Sequence, residues 1–395
     1  MKKSIIALAC GAFAYGAAEF MMMGVLPQAA RDMRVNIPSA GNFISAYAIG
    51  VCVGTLMLIF GRKAGPKKLI VMFMVIAFAG DLFSSLAPTA TLLTIGRFIS
   101  GLPHGAFFGT AALVAKTLAQ PGKEAKTVSL SMTGQTVANM LGVPAATFIA
   151  EHFSWRFAFL ILAGIAALTV VLVAAWIPHI APVKDAGILG QFRFLTKLGP
   201  WFILIAVFTG NAGIFTWWSY VSPWLQKVGG YASGTVPLLM MLAGFAMVIG
   251  GLLGGHLTDH WRAAGTASLG QCFSVIGLVL VFFVPGNRLD TAVFTFIIAF
   301  ALFFINTPQQ LLMAEAGQGG GELIGGAAVQ VAFNLGNAVG SAVGGGMLTI
   351  SHMNYHFPAL GGIPFALAAT ILLAVYSLRY ETRTSAFERL QPVDV

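Results

Sequence analysis

The sequence predicts an all-α membrane protein with twelve transmembrane helices in two pseudo-symmetric six-helix bundles. Three observations carry the prediction: the composition, a series of apolar stretches and an internal repeat. Of the 395 residues, 57% are hydrophobic and only 9% are charged, whereas a soluble domain has about 25% charged residues. A water-soluble fold cannot cover its surface with so few charges.

Twelve stretches are long and apolar enough to cross a bilayer core of about 30 Å, which takes roughly 20 residues at about 1.5 Å each. In chain order these spans are residues 4–26, 41–60, 69–87, 91–115, 127–150, 157–177, 201–225, 236–255, 266–285, 291–314, 323–350 and 360–378. They predict an amino-terminal bundle, 1–177, and a carboxy-terminal bundle, 201–380. A short amphipathic linker on the cytoplasmic surface, 178–200, and a cytoplasmic tail, 381–395, complete the chain.

The net charge of +9 indicates membrane topology rather than a nucleic-acid partner. Placing the amino terminus inside puts most Lys and Arg residues on the cytoplasmic side, as the positive-inside rule requires. The sequence therefore predicts a multi-pass protein of the bacterial inner membrane with both termini in the cytoplasm. The cytoplasmic set is Lys2, Lys3, Arg62, Lys63, Lys67, Lys68, Lys116, Lys123, Lys126, Lys184, Arg193, Lys197, Arg262, Arg379, Arg383 and Arg389, and the opposite set is Arg31, Arg34, Arg156, Lys227 and Arg288.

The sequence lacks the motifs of a secreted, metal-binding, ATP-binding or enzymatic protein. A signal peptide is disfavoured because its apolar core would end near Cys10 after only six residues, while the apolar run continues to Leu26. Cys10, Cys52 and Cys272 lack metal-ligand spacing, so we expect neither disulfides nor a bound metal. No ATP-binding phosphate loop, His-Glu-x-x-His or Cys-x-x-Cys motif occurs. We expect no cofactor and no enzymatic activity.

An internal repeat supports the division into halves. Gln135 and Asn139 in the fifth span recur as Gln330 and Asn334 in the eleventh, displaced by 195 positions. The loop at 54–65 likewise resembles the loop at 251–265. Two repeated halves that meet at a midplane site are a recurring plan of secondary transporters.

Several segments resemble the major facilitator superfamily, specifically its drug:proton antiporter branch. The short motifs are Gly-Arg-Lys-Ala-Gly-Pro-Lys-Lys at 61–68, Arg-Phe-Ile-Ser-Gly at 97–101 and Gly-Val-Pro at 142–144. Segments 97–109, 210–220 and 330–340 resemble the arabinose-induced group of sugar-efflux exporters. The resemblance covers all twelve spans and implies the major facilitator fold and export of a small solute.

The resemblance also implies roles for particular residues. It assigns Arg97 to a proton relay, and Gly142, Pro144 and Asp259 to conformational change. The first loop departs from the family pattern, because Arg62 stands where the family usually has the aspartate that the second copy keeps as Asp259.

Glu19 is the principal candidate for coupling transport to protons. A carboxylate at bilayer depth costs roughly 2.5–3.5 kcal/mol on insertion scales, so such residues usually face protein or water and mark a proton or substrate path. Helical spacing puts Glu19 on one face with Tyr15, Met22 and Met23. A structural hydrogen bond to a neighbouring helix is the alternative.

Arg97 and His104 lie seven residues apart in the fourth span and are expected to share a face. Arginine stays charged at reachable pH, so a buried Arg97 needs acceptors; at a membrane end it would snorkel to the interface instead. His104 is a candidate relay or substrate ligand, or a neutral packing residue. Asp81 is expected to form a structural ion pair with Arg97.

Amides and aromatic residues form the candidate substrate site. The spacing of Gln135 with Asn139, and of Gln330 with Asn334, creates polar stripes that either contact a polar substrate or hydrogen-bond between helices. The remaining candidates are Tyr15, Asn211, Trp217, Trp218, Asn306 and Gln309. A proline, Pro308, is expected to bend the tenth span.

The sequence thus predicts a proton-coupled exporter of a sugar or drug-like solute. The alternatives are a uniporter or proton symporter that imports a sugar or nucleoside, a membrane-embedded enzyme and a membrane sensor. The expected partners are a small solute, protons and lipid, with the chain acting as a monomer.

Overall fold

The computed structural model describes residues 2–61, 64–120, 123–180, 193–316 and 322–381, and the described chain is helical without β-strands. Ten helical segments are long and apolar enough to cross a membrane. The two other predicted spans, the fifth and the eleventh, are helical as well. The predicted all-α membrane fold is confirmed. Arg62, the centre of the linker at 181–192 and the tail at 382–395 lie outside the described residues.

The helices follow the predicted spans closely. The first to third spans are Lys2–Asp32, Asn42–Gly54 and Pro66–Leu86, with one-turn helices at Ile37–Ala40 and Met57–Gly61. The fourth is Ala90–Gly101 and His104–Thr117, the fifth Glu124–Val137 and Val143–His152, and the sixth Trp155–Trp176. The seventh is Leu198–Trp218 and Val221–Lys227, and the eighth to tenth are Val236–His260, Ala263–Phe283, and Arg288–Phe304 with Asn306–Ala316. The eleventh is Glu322–Ile350 and the twelfth Phe357–Arg379.

Three spans that the sequence predicts as continuous are broken near a proline. A proline lacks an N–H and its ring clashes with the carbonyl four residues earlier. Pro103 lies in the break of the fourth span, Pro223 follows the break of the seventh, and Pro308 follows the break of the tenth. The tenth span is interrupted between Phe304 and Asn306, close to the bend expected at Pro308, and the fourth and seventh spans are interrupted in the same way.

The fifth span contains a π-helical turn at Ala138–Gly142. The backbone N–H of Val143 reaches the carbonyl of Ala138, five residues earlier. Pro144 follows directly and cannot donate to the carbonyl of Met140, so the wider turn accommodates its ring. Asn139 therefore projects from a π turn rather than from a regular helix.

The chain divides into two compact units, residues 1–186 with 219–244, and residues 187–218 with 245–395. In the first unit, the first span packs on the fifth and sixth, and the third packs on the sixth and fourth. In the second unit, the seventh span packs on the eleventh and twelfth, and the ninth packs on the twelfth and tenth. The same order of neighbours recurs within each unit. The domain boundaries at 177 and 201 remain a prediction.

Glycines at equivalent helix crossings repeat between the units. A Cβ added at Gly50 or Gly54 would overlap the carbonyl oxygens of Phe98 and Leu102, respectively. In the second unit, a Cβ at Gly250 or Gly254 would overlap the carbonyl oxygens of Phe300 and Phe304. Small residues let membrane helices approach closely where no hydrophobic force between them operates. These crossings therefore depend on glycine.

We expect Gly254→Ala to destabilise the protein by about 1–3 kcal/mol, because the added methyl group has no room at a backbone crossing. Gly251→Ala is the matched control, since a Cβ there meets no atom within 4 Å. The control should leave stability unchanged or raise it by about 0.4–1 kcal/mol by restricting the unfolded chain. Thermal unfolding in detergent measures both, and equal melting temperatures would contradict the crossing argument.

Candidate functional site

Three ionisable side chains meet inside the first unit. Glu19 in the first span is 5% exposed, while Arg97 and His104 in the fourth span are 0% and 1% exposed. Pro103 interrupts the fourth span and makes His104 the first residue of its helix. Leu102 and Pro103 keep right-handed helical backbone angles, and Arg97 and His104 are both buried. The burial of Arg97 contradicts the interfacial, snorkelling alternative.

His104 connects Glu19 to a tyrosine that the sequence analysis missed. Its Nε2 lies 3.7 Å from Glu19 Oε2, and its Nδ1 lies 2.7 Å from the hydroxyl of Tyr47 in the second span. When Tyr47 donates to Nδ1, Nε2–H faces the Glu19 carboxylate. When Nδ1–H donates to Tyr47, Nε2 faces a protonated Glu19. The imidazole can thus exchange a proton between the two sides of the ring.

Aromatic rings enclose this group. The ring of Tyr15 lies 5.4 Å from that of His104, and the ring of Phe108 lies 5.0 Å from it. The Tyr15 hydroxyl donates to the carbonyl of Phe73 in the third span, 2.8 Å away. Tyr15 therefore forms one wall around His104, and the substrate contact expected of Tyr15 remains a prediction. Such walls keep water out and strengthen the electrostatic interactions inside.

The Arg97 guanidinium joins three spans. Its Nη1 donates to the carbonyl of Ala18, next to Glu19, at 2.9 Å, and its Nε donates to the carbonyl of Phe43 at 3.2 Å. The guanidinium carbon also lies 4.3 Å from the centre of the Tyr47 ring. These contacts fix the first and second spans around the fourth, and they supply the acceptors that a buried arginine requires.

The predicted ion pair between Asp81 and Arg97 was wrong. Asp81 is buried at 2% exposure and its Oδ1 accepts a hydrogen bond of 2.6 Å from Ser100. No ion-pair contact links Asp81 to Arg97 in the described chain, because Arg97 uses backbone carbonyls instead. Arg97 still interacts electrostatically with both Asp81 and Glu19.

The formal charges of this group balance with one proton. Arg97 contributes one positive charge, and ionised Asp81 and Glu19 would contribute two negative charges. A proton on Glu19 or His104 cancels the excess, which low dielectric otherwise makes costly. The buried site is thus electrically suited to hold one exchangeable proton.

The amide candidates of the fifth span lie in the same unit. Asn139 is 3% exposed, and neither atom of its amide has a hydrogen-bond partner among the described residues. Gln135 is half-buried and packs with its Cγ against Gly16 of the first span. Inter-helix hydrogen bonding by Asn139 is therefore contradicted. A buried amide without a partner is costly, so its presence calls for a functional explanation.

The second unit holds the other substrate candidates. Asn211 donates to the carbonyl of Val207 and Asn334 to the carbonyl of Gln330, each in its own helix. Neither side-chain oxygen has a partner in the described chain, so Asn334 does not hydrogen-bond between helices. Gln309, Trp217 and Trp218 are buried, with exposures of 2%, 0% and 1%, and the tryptophans are not interfacial anchors. Asn306 and Gln330 are half-buried.

The conformational candidates have different surroundings. Gly142 ends the π turn, with a built Cβ 3.0 Å from Phe13 of the first span, and Pro144 is buried two residues later. Asp259 is exposed in the last turn of the eighth span. Their roles remain predictions.

Sequence reasoning missed Tyr47 and Gln271. Tyr47 sits in an apolar span, and no spacing relates it to His104. Gln271 of the ninth span is 0% exposed and both of its amide atoms lack partners in the described chain. A polar side chain in an apolar run was the one available signal for Gln271.

Comparisons with known proteins agree with this architecture. The family model described as Major Facilitator Superfamily matches residues 8–325. The Escherichia coli K12 transporter AraJ is 37% identical over 387 residues, 98% of each chain. The inner membrane transport protein YdhP of the same strain is 33% identical, covering 96% of this chain and 97% of its own. A D-xylose-proton symporter structure superposes with a TM-score of 0.73 at 15% identity, covering 97% of this chain and 98% of its own.

We expect Arg97→Ala to destabilise the protein by about 3–5 kcal/mol, because it removes a buried charge and leaves two buried carboxyl groups uncompensated. Arg97→Lys should fall between this variant and the wild type, since an ammonium lacks the fork that serves two carbonyls. The exposed Arg31→Ala is the control. Thermal unfolding is the measurement; a wild-type melting temperature for Arg97→Ala would refute the structural role.

Proposed function

Because the chain belongs to the Major Facilitator Superfamily and is a multi-pass membrane transporter, we propose that it exports a small solute in exchange for protons across the bacterial inner membrane. The observation that carries this proposal is the buried chain of Glu19, His104 and Tyr47. An intramembrane carboxyl group beside an imidazole is the expected form of a proton relay.

The proposed cycle centres on Glu19. A proton entering from outside neutralises the excess negative charge of the group formed by Glu19, Asp81 and Arg97, and its release toward the cytoplasm restores that charge. His104 and Tyr47 pass the proton. Arg97 holds the first and second spans together through the carbonyls of Ala18 and Phe43. The protonated group and the deprotonated group each stabilise a different arrangement of helices, because a buried net charge is costly.

The energy available is sufficient for export. A proton moving inward through 100 mV releases about 2.3 kcal/mol, and each unit of pH difference adds about 1.4 kcal/mol. Together these correspond to a solute gradient of roughly several hundredfold for one proton. Primary ATP-driven pumping is not required.

The proposed solute contacts are the amides with uncommitted atoms, Asn139, Asn211, Gln309 and Asn334, together with Trp218. Gln135, Asn306, Gln330 and Trp217 complete the set. Their amides and indoles carry no charge, which supports a neutral, polar solute such as a sugar or a drug-like molecule with hydroxyl groups. The conformational role of Gly142, Pro144 and Asp259 belongs to the same proposal.

The direction of coupling can be measured in proteoliposomes that contain a pH-sensitive dye. A panel of solutes is added outside vesicles with the protein in one orientation. Antiport makes the lumen more alkaline as solute enters and protons leave, symport makes it more acidic, and uniport leaves it unchanged. An acidic shift or no shift would overturn the exchange mechanism and favour solute import by symport or uniport.

We expect Glu19→Gln to abolish proton-coupled accumulation while solute still binds and equilibrates down its own gradient. Glutamine keeps the size and hydrogen bonding of the protonated acid but cannot release a proton. Glu151→Gln, at the far end of the fifth span, is the control. The measurement is solute flux with and without an imposed pH gradient. Uphill transport by Glu19→Gln at the wild-type rate would remove Glu19 from the coupling site.

We expect Asn139→Ala and Asn334→Ala to weaken solute binding by about 1–3 kcal/mol, or roughly fivefold to 150-fold, because a polar partner on the solute is left unpaired. The melting temperature should stay near that of the wild type, since neither amide bonds to another helix. Asn42→Ala, at an exposed position, is the control. Unchanged affinity together with a lowered melting temperature would indicate a structural role.

A further inference from the structure

Two histidines share one face of the eighth span where that helix ends. His256 and His260 are four residues apart in the helix Val236–His260, and both side chains are exposed. Their rings lie 4.3 Å apart, centre to centre, with the planes inclined by 39°. Residues four apart on a helix are neighbours, so both imidazoles can reach one point in the solvent. The expectation of no bound metal rested on the cysteines and did not consider this pair.

A hydrogen bond orients His260 as a metal ligand. Its Nδ1 lies 2.8 Å from the backbone carbonyl oxygen of His256. Because a carbonyl oxygen can only accept, Nδ1 of the neutral ring carries the proton, and the free lone pair is on Nε2. Metal-binding histidines characteristically donate their other ring N–H in this way, which fixes the tautomer and the orientation of the ring. The bond therefore presents Nε2 as the ligand atom.

The position on the helix favours a positive ion. The eighth span ends at His260, and the unpaired carbonyl groups at the end of a helix carry about half a negative charge. The carboxyl group of Asp259 is exposed in the same turn. Arg262 follows two residues later, but its Nη1 donates to the carbonyl of Ser377 in the twelfth span. A cation between the two rings would thus lie beside negative charge, while the guanidinium is held by another span.

The ligand atoms indicate which cations fit. In the part of the chain that the structure describes, no third His, Cys, Asp or Glu joins the pair, so water would complete the coordination. Imidazole suits Zn²⁺, Cu²⁺ and Ni²⁺, whereas Mg²⁺ and Ca²⁺ prefer oxygen ligands. A zinc ion lies about 2.0–2.1 Å from each histidine nitrogen. Exposed side chains on neighbouring positions can meet this requirement by rotation of their rings.

We propose that His256 and His260 bind one divalent transition metal ion of the Zn²⁺, Cu²⁺ and Ni²⁺ class, at the end of the eighth span that the charge distribution predicts to be cytoplasmic. The ion binds both rings only while the turn between them is helical, so binding stabilises that turn. Asp259 lies within it. The bound ion therefore restrains Asp259 and slows transport, a consequence that rests on the proposed function and on the conformational role of Asp259.

The test uses full-length protein without a polyhistidine tag, because a tag would bind the same ions. Ni²⁺ is titrated by calorimetry and by thermal unfolding, with Mg²⁺ for comparison. The variants are His256→Gln, His260→Gln and a control, His152→Gln. His152 is exposed, and its Nδ1 makes the same bond to the carbonyl four residues earlier, at 3.0 Å, but the residue there is Phe148. The control site thus has the fixed tautomer and lacks the second imidazole.

We expect the wild type and His152→Gln to bind one Ni²⁺ per chain with Kd values within about twofold of each other, and to melt at a higher temperature as Ni²⁺ is added. Mg²⁺ should leave the melting temperature unchanged. His256→Gln and His260→Gln should each raise the Kd by about tenfold or more, because a single imidazole remains. In proteoliposomes, Ni²⁺ should slow solute flux by the wild type at least about twofold and leave His260→Gln unaffected.

The outcomes separate the metal site from its effect on transport. No Ni²⁺ binding by the wild type, or equal affinity in the wild type and both pair variants, would overturn the site. An equal loss of affinity in His152→Gln would overturn it too, since an isolated histidine would then suffice. Binding at the pair without a change in flux would refute the restraint on Asp259 alone. Calorimetry requires no solute, so a failure of the exchange mechanism would leave the binding result standing.

Discussion

The buried guanidinium of Arg97 is the constraint on which the first unit depends. A permanent positive charge in a low-dielectric interior requires acceptors, and Arg97 takes them from the backbones of the first and second spans. This choice leaves no ion-pair contact between Arg97 and Asp81, whose Oδ1 accepts a hydrogen bond from Ser100 instead. Glu19 is the acid that lies beside His104, and in the proposed cycle it is the group that changes its protonation.

The prolines explain how the sequence places these groups. Pro103 lies where the first helix of the fourth span ends and His104 begins the next, and Pro144 follows the π turn that carries Asn139. Both effects follow from a missing N–H and a ring that collides with the preceding turn. Local backbone chemistry thus accounts for the interruptions beside two of the candidate side chains, His104 and Asn139.

The sequence predicted the spans and the buried acid, but not the partners of the buried groups. Hydropathy identifies a membrane helix because every backbone group must bond within it. The rotation of one helix against another depends instead on long-range packing, such as glycine against a backbone carbonyl. For that reason Asp81 was paired wrongly with Arg97, and Tyr47 and Gln271 were missed. The break in the seventh span was predictable, because in an unbroken helix the ring of Pro223 would collide with the carbonyl of Ser219, four residues earlier.

The two units repeat one packing plan but bury different chemistry. The first unit encloses Glu19, Asp81 and Arg97, whereas the described interior of the second contains amides, hydroxyl groups and Glu381. A glycine in each unit illustrates the contrast: the side chain nearest to Gly11 is that of Phe107, while the side chain nearest to Gly210 is that of Gln271. Packing alone would tolerate apolar residues at both. A repeated fold does not require this difference. It is in keeping with the proposed function, in which changes of charge are confined to the unit that contains Arg97 and uncharged amides bind a neutral solute.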